Sequence, residues 1–101
     1  MFNNKKDYSK TIIYQIVNGT TCFHIDSTNN FTQRKSSHKT KCNNNENNLK
    51  IYKFMRENGW TGDFEKGGWD MIPIEKFPCV DAIESNARVF HHLKIMNPML
   101  I

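Results

Sequence analysis

Two β-rich apolar runs meet at an Asn-Gly pair near the start of the chain, and that pairing constrains the fold more than any other feature. Ile12, Ile13, Tyr14, Ile16 and Val17 form the first run, Asn18-Gly19 closes it, and Cys22, Phe23, His24 and Ile25 form the second. β-branched and aromatic side chains suit a pleated, half-buried surface, and Asn-Gly readily adopts the positive φ of a tight turn. The expected structure is a β-hairpin. Its register depends on the loop. A two-residue turn at Asn18-Gly19 pairs Tyr14 with Phe23, whereas a three-residue loop over 18–20 pairs Tyr14 with His24. A one-residue slip sends side chains to the opposite face, so loop length decides whether Tyr14 and His24 share a site.

Beyond the hairpin, Ser27, Thr28, Asn29 and Asn30 offer N-cap side chains for a helix over 31–41. Arg34 and His38 stand four apart there and so share a face. The asparagine-rich stretch over 43–48 is too polar to pack. Leu49, Tyr52, Phe54 and Met55 predict a short second helix, stopped by Asn58-Gly59. Residues 60–68 show no period and are expected to form a loop. Trp69, Met71, Ile72, Pro73, Ile74 and Phe77 predict a third strand, which Pro73 confines to a sheet edge or a bulge. A final helix is expected over 82–96, with Asp81 as its cap and Asn97-Pro98 as its end. Its apolar stripe is Ile83, Ala87, Phe90 and Leu93. The order β-β-α-α-β-α predicts an α+β domain, a small three-stranded antiparallel sheet flanked by about three helices. With 101 residues the chain suits a single domain, 1–101, carrying an N-terminal extension over 1–10.

Charge narrows the possible partners. The whole chain carries +4, but residues 1–50 hold a balance of +5 and the remainder −1. No acid occurs over 27–45, where Arg34, Lys35, Lys39 and Lys41 cluster with His38. A basic stripe suits a polyanion such as DNA, while a solvated helix face is the plainer alternative. No apolar run is long enough to span a bilayer, and none follows the N-terminal charges as in a signal peptide. Cys22, Cys42 and Cys79 are odd in number, widely spaced and outside any zinc-ligand pattern, which points to reduced thiols in an intracellular protein.

Four strings in this order resemble the GIY-YIG nuclease superfamily, most closely the small members found in large DNA viruses and mobile elements. Ile12-Ile13-Tyr14 stands at the first motif, and His24-Ile25-Asp26 at the second. The stretch over 30–39 is similar to the helix that carries the family's arginine and histidine. The stretches over 50–59 and 68–72 are similar to its second helix and third strand. The resemblance implies an endonuclease that hydrolyses DNA phosphodiesters with one Mg²⁺ or Mn²⁺. In such chemistry a tyrosine handles the attacking water's proton, an arginine steadies phosphoryl charge and a carboxylate holds the cation.

Carried onto this chain, the resemblance makes Tyr14 the first-motif tyrosine, Arg34 the phosphate clamp and His38 an auxiliary proton-transfer group. His24 replaces the second-motif tyrosine, and Asp26 replaces its glycine. Lys35, Lys39 and Lys41 would extend the nucleic-acid contact. On the last helix the family's metal-binding glutamate corresponds to Val89, which cannot ligate a cation. Glu84 is the substitute ligand on that helix, with Asp26 as the other carboxylate available. His91 and His92 are adjacent on the helix, so one is expected half-buried and the other solvated. Three readings follow: an active endonuclease, a pseudonuclease that binds nucleic acid without cutting it, and a structural or protein-interaction domain. If either catalytic arrangement holds, Tyr14, His24, Arg34 and Glu84 converge on one concave surface.

Overall fold

A computed structural model describes residues 7–44, 46, 47, 49–59 and 68–98. The loop expected over 60–68 therefore lies outside them except for Gly68, which is buried. Strand β1 (Ile12–Asn18) pairs antiparallel with β2 (Thr21–Thr28) on one side and with β3 (Asp70–Lys76) on the other, giving the order β2-β1-β3. Helices α1 (Phe31–Cys42) and α2 (Lys50–Glu57) lie between β2 and β3 in sequence, and α3 (Ala82–Met96) follows. The domain is α+β, a three-stranded antiparallel sheet with three helices. No helix among the described residues is long and apolar enough to cross a membrane.

The hairpin register differs from both expectations. The two-residue turn is Gly19-Thr20, one residue later than Asn18-Gly19, and Asn18 pairs with Thr21. Gly19 has a φ of 62°, while Thr20 has no positive φ; a turn led by glycine needs only that one residue in the left-handed region. Asn18 stays in the strand because its side-chain amide donates to the Gly68 carbonyl at 2.6 Å. A bulge then shifts the ladder between Ile16 and Val17, so that Ile16 faces His24 and Tyr14 faces Asp26. Tyr14 and His24 thus end on one face, as diagonal rather than direct neighbours. Pro73 sits where expected, on an edge strand, beside a register shift opposite Ile13 and Tyr14.

One face of the sheet carries the main apolar cluster. Tyr14, Ile16, Phe23, Trp69 and Met71 meet Cys42 of α1 and Tyr52 and Met55 of α2, all buried. Phe31, Ile51 and Phe54 pack around them. Removing this much large apolar surface from water supplies most of the driving force for closing the face.

Helix α3 covers the opposite face, against β2 and β1. Its stripe does not turn inward as expected. Ile83 is 78% exposed and Phe90 56%, and Ala87 is also exposed. Only Leu93 of that stripe is half-buried, together with Arg88, Val89, His92 and Met96, while Ser85 is buried. Polar pins fix this rotation. Glu75 on β3 accepts from Arg88 Nε, from Arg88 Nη2 at 3.1 Å and from His92 Nε2 at 2.8 Å, while Ser85 Oγ lies 3.0 Å from Ser27 Oγ. Bonds to a charged carboxylate are stronger than those between neutral groups. His91 is exposed beside the half-buried His92, as expected.

Candidate active site

The first strand supplies Tyr14, which the period-two alternation turns toward α1 and α2. Asn30 caps α1 by accepting the Gln33 N–H at 3.1 Å, which fixes the first turn and hence the direction of Arg34. One turn further on, His38 points the same way. The result is a chain of polar contacts through an otherwise apolar layer. The Arg34 Nε–H donates to the Tyr14 hydroxyl at 3.4 Å, Tyr14 Oη lies 2.8 Å from His38 Nε2, and His38 Nδ1 lies 2.8 Å from the Tyr52 hydroxyl. Tyr14, His38 and Tyr52 are all buried.

Burial controls the protonation of this chain. It pushes the Tyr14 hydroxyl up to about 12 against the opposing pull of Arg34, and it raises Tyr52 as well. Burial likewise pushes His38 down to about 3, with the Arg34 cation adding to the effect. At neutral pH both hydroxyls keep their protons and His38 is a neutral imidazole. His24 is also driven down by burial, although Asp26, 3.9 Å away, partly opposes this. Its ring centroid lies 6.3 Å from that of His38.

Beside this chain opens a cavity of about 520 Å³. Arg34 and Asp26 are its charged walls, and Ser27, Gln33, Ser37 and Ser85 are among its polar ones. The first turns of α1 and α3 both border it.

The expected site residues divide into three groups. Tyr14, Arg34 and His38 form one hydrogen-bonded set, with His24 nearby and Asp26 on the cavity wall. The lysines do not line the cavity: Lys35 pairs with Asp70 at 2.8 Å, Lys39 is exposed and Lys41 half-buried. Glu84 does not join the set. It is exposed, its carboxylate accepts the Val80 N–H at 3.0 Å, and Asp81 accepts the Glu84 N–H at 3.0 Å. The two acids cap their own helix. Of Tyr14, His24, Arg34 and Glu84 only Arg34 lines the cavity, so the expected convergence on one concave surface is absent. Val89 does not line the cavity either; Ala82, Ser85 and Asn86 are the α3 residues that do. Tyr52 was not singled out as a site residue from sequence. A tyrosine on the buried side of a short helix carries a hydroxyl that needs a partner, and that is the signal that could have found it.

Among the described residues no group of three or more His, Cys, Asp or Glu side chains is placed to hold a metal ion. Asp26 is the carboxylate on the cavity wall. One carboxylate, whose Oδ1 already accepts the Ser27 N–H at 2.8 Å, is less than a protein-built metal site, and a hard cation bound there would take its remaining ligands from water and substrate phosphate. None of the three cysteines is in a disulfide; Cys42 lies in the core and Cys22 and Cys79 are half-buried. Compared with known protein families, curated proteins and solved structures, the chain gives no match.

Proposed function

We propose that the chain is a GIY-YIG-type endonuclease domain that seats a DNA phosphodiester in the cavity against Arg34 and hydrolyses it with Mg²⁺ or Mn²⁺. The observation that carries this reading is the union of Tyr14, Arg34 and His38 in one hydrogen-bonded set at the edge of a polar cavity. Arg34 faces the cavity and supplies fixed positive charge to the phosphoryl oxygens. Asp26 is the residue that would hold the cation. A bound divalent cation neutralises phosphoryl charge and lowers the pKa of an attacking water. Tyr14 and His38 hold the proton path: in the resting domain the proton stays on Tyr14, because burial disfavours both tyrosinate and imidazolium.

Plasmid nicking with Mg²⁺ or Mn²⁺ against EDTA tests this reading. Arg34→Ala and Asp26→Asn are each expected to slow nicking by about 10²–10³-fold, and Glu84→Gln to leave it within about twofold, since exposed caps act on stability. A second reading, nucleic-acid binding without hydrolysis, draws on a different observation: Tyr14 has 0% exposure, and α3 turns no carboxylate toward the cavity. Absence of nicking, with salt-sensitive DNA retention that Arg34→Ala weakens, would select it. Neither nicking nor retention would overturn both.

A further inference from the structure

The buried Tyr52 hydroxyl stands 2.8 Å from His38 Nδ1 on the side away from Tyr14. We infer that Tyr52 is a positioning residue that holds His38 as the Nδ1–H tautomer, leaving Nε2 to accept the Tyr14 proton. A neutral imidazole has one N–H donor and one bare acceptor nitrogen, so two tyrosines bonded to one ring must take opposite roles. Arg34 settles which is which. A guanidinium only donates, so the Tyr14 oxygen is an acceptor at that contact. The cation also favours a hydroxyl dipole whose hydrogen points away from it, toward His38. The bonds then run one way, from the Arg34 N–H to the Tyr14 oxygen, from the Tyr14 O–H to Nε2, and from the Nδ1–H to the Tyr52 oxygen. Bonds aligned in one direction polarise each other and strengthen. In the reverse order the Tyr14 oxygen would accept from both neighbours, and its proton would be left beside the cation.

The consequence for chemistry rests on the proposed nuclease reading, but the tautomer does not. With Tyr52 in place Nε2 stays unprotonated and able to accept the Tyr14 proton. Without Tyr52 nothing on that side holds the proton at Nδ1, and Nε2–H becomes accessible. That form cannot accept from Tyr14.

Histidine-ring ¹⁵N spectra of the full chain read this directly, with His38 assigned by His38→Gln. The wild type is expected to show a protonated Nδ1 and a bare Nε2. Tyr14→Phe should mix it, because the contact with Arg34 that fixes the direction of the line is lost and the Tyr52 hydroxyl alone can either donate or accept. Tyr52→Phe should mix or reverse it and slow nicking on the order of tenfold or more, with the KM for plasmid unchanged. An Nε2–H ring in the wild type overturns the inference, and so does an unchanged Nδ1–H ring in a folded Tyr52→Phe. Should Tyr52→Phe not fold, the wild-type spectrum decides alone, since an Nε2–H ring there leaves Tyr52 no Nδ1–H to accept. A domain that never nicks DNA but shows the Nδ1–H ring would refute the nuclease reading and leave the positioning role standing.

Discussion

The two faces of the sheet are closed by different kinds of contact. Toward α1 and α2, large apolar side chains exclude water, and a line of polar groups runs through them from Arg34 to Tyr52. Toward α3, a carboxylate, a guanidinium, an imidazole and two serines hold the helix, while most of its apolar stripe faces outward. The first face owes its stability to the burial of large side chains. The second adds directional bonds to the burial of Ile13, Val17 and Ile25, which the strand alternation turns away from the first cluster. Position rather than hydrophobicity decides what each side chain contributes. Phe90 is as apolar as Phe23, yet only Phe23 is removed from water.

The largest separation between the faces should appear on truncation. Met55→Ala is expected to destabilise the domain by about 2–5 kcal/mol in urea unfolding, through lost burial and the cavity left behind. Phe90→Ala should change it by no more than about 0.5 kcal/mol. Equal losses at the two positions would mean that the α3 stripe is covered, and the comparison would break.

Acid should discriminate between the faces next. His38 is held below its ordinary value, so its contribution is complete above pH 6.5 and is lost as pH falls toward 3, while the unfolded chain takes up a proton that the folded one refuses. Glu75 is held down to about 2 by Arg88 and His92, so its contribution is complete above pH 4.5 and is lost between there and about 2. Melting temperatures taken from pH 7 to pH 3 should therefore decline in two stages. His24, also held low by burial, adds to the first stage. Glu75→Gln should weaken the second stage alone. If it flattened the first stage as well, the two faces would be coupled.

A smaller effect is expected from Glu75→Gln at neutral pH. Losing a charged acceptor shared by Arg88 and His92 should destabilise by on the order of 1 kcal/mol in urea unfolding, because the group is still partly wet. No change would show that α3 is held by packing after all.

Much of the first face was legible in the sequence. The period-two runs, the run of N-cap candidates that ends at Asn30, the Asp81 cap and the one-turn spacing of Arg34 and His38 predict the bounds of β1, β2, α1 and α3 closely, because these are local rules. The hairpin register was not legible, since it depends on Asn18 reaching Gly68, fifty residues away. The rotation of α3 was missed for the same kind of reason. A stripe of Ile83, Ala87, Phe90 and Leu93 predicts an inward face, of which only Leu93 is half-buried once Glu75 on β3 holds Arg88 and His92. Glu84 was offered as a ligand because it is the glutamate on α3, but at the first turn its carboxylate has backbone N–H groups within reach. Tyr52 went unnoticed because its role exists only once α2 lies against α1.

The chain order of these groups carries one more consequence, for the sequence of events in folding. Tyr14, Asp26, Arg34, His38 and Tyr52 all precede β3 and α3, and they belong to a hairpin and two helices that follow it directly. Contacts between near neighbours close small loops at low entropic cost and form early, whereas β3 must return across half the chain to reach β1. On a ribosome the polar line could therefore assemble on an unfinished two-stranded sheet. The cavity would gain its far wall only when Ser85 and Asn86 emerge, so the groups that handle a proton would be in place before the pocket that confines a ligand.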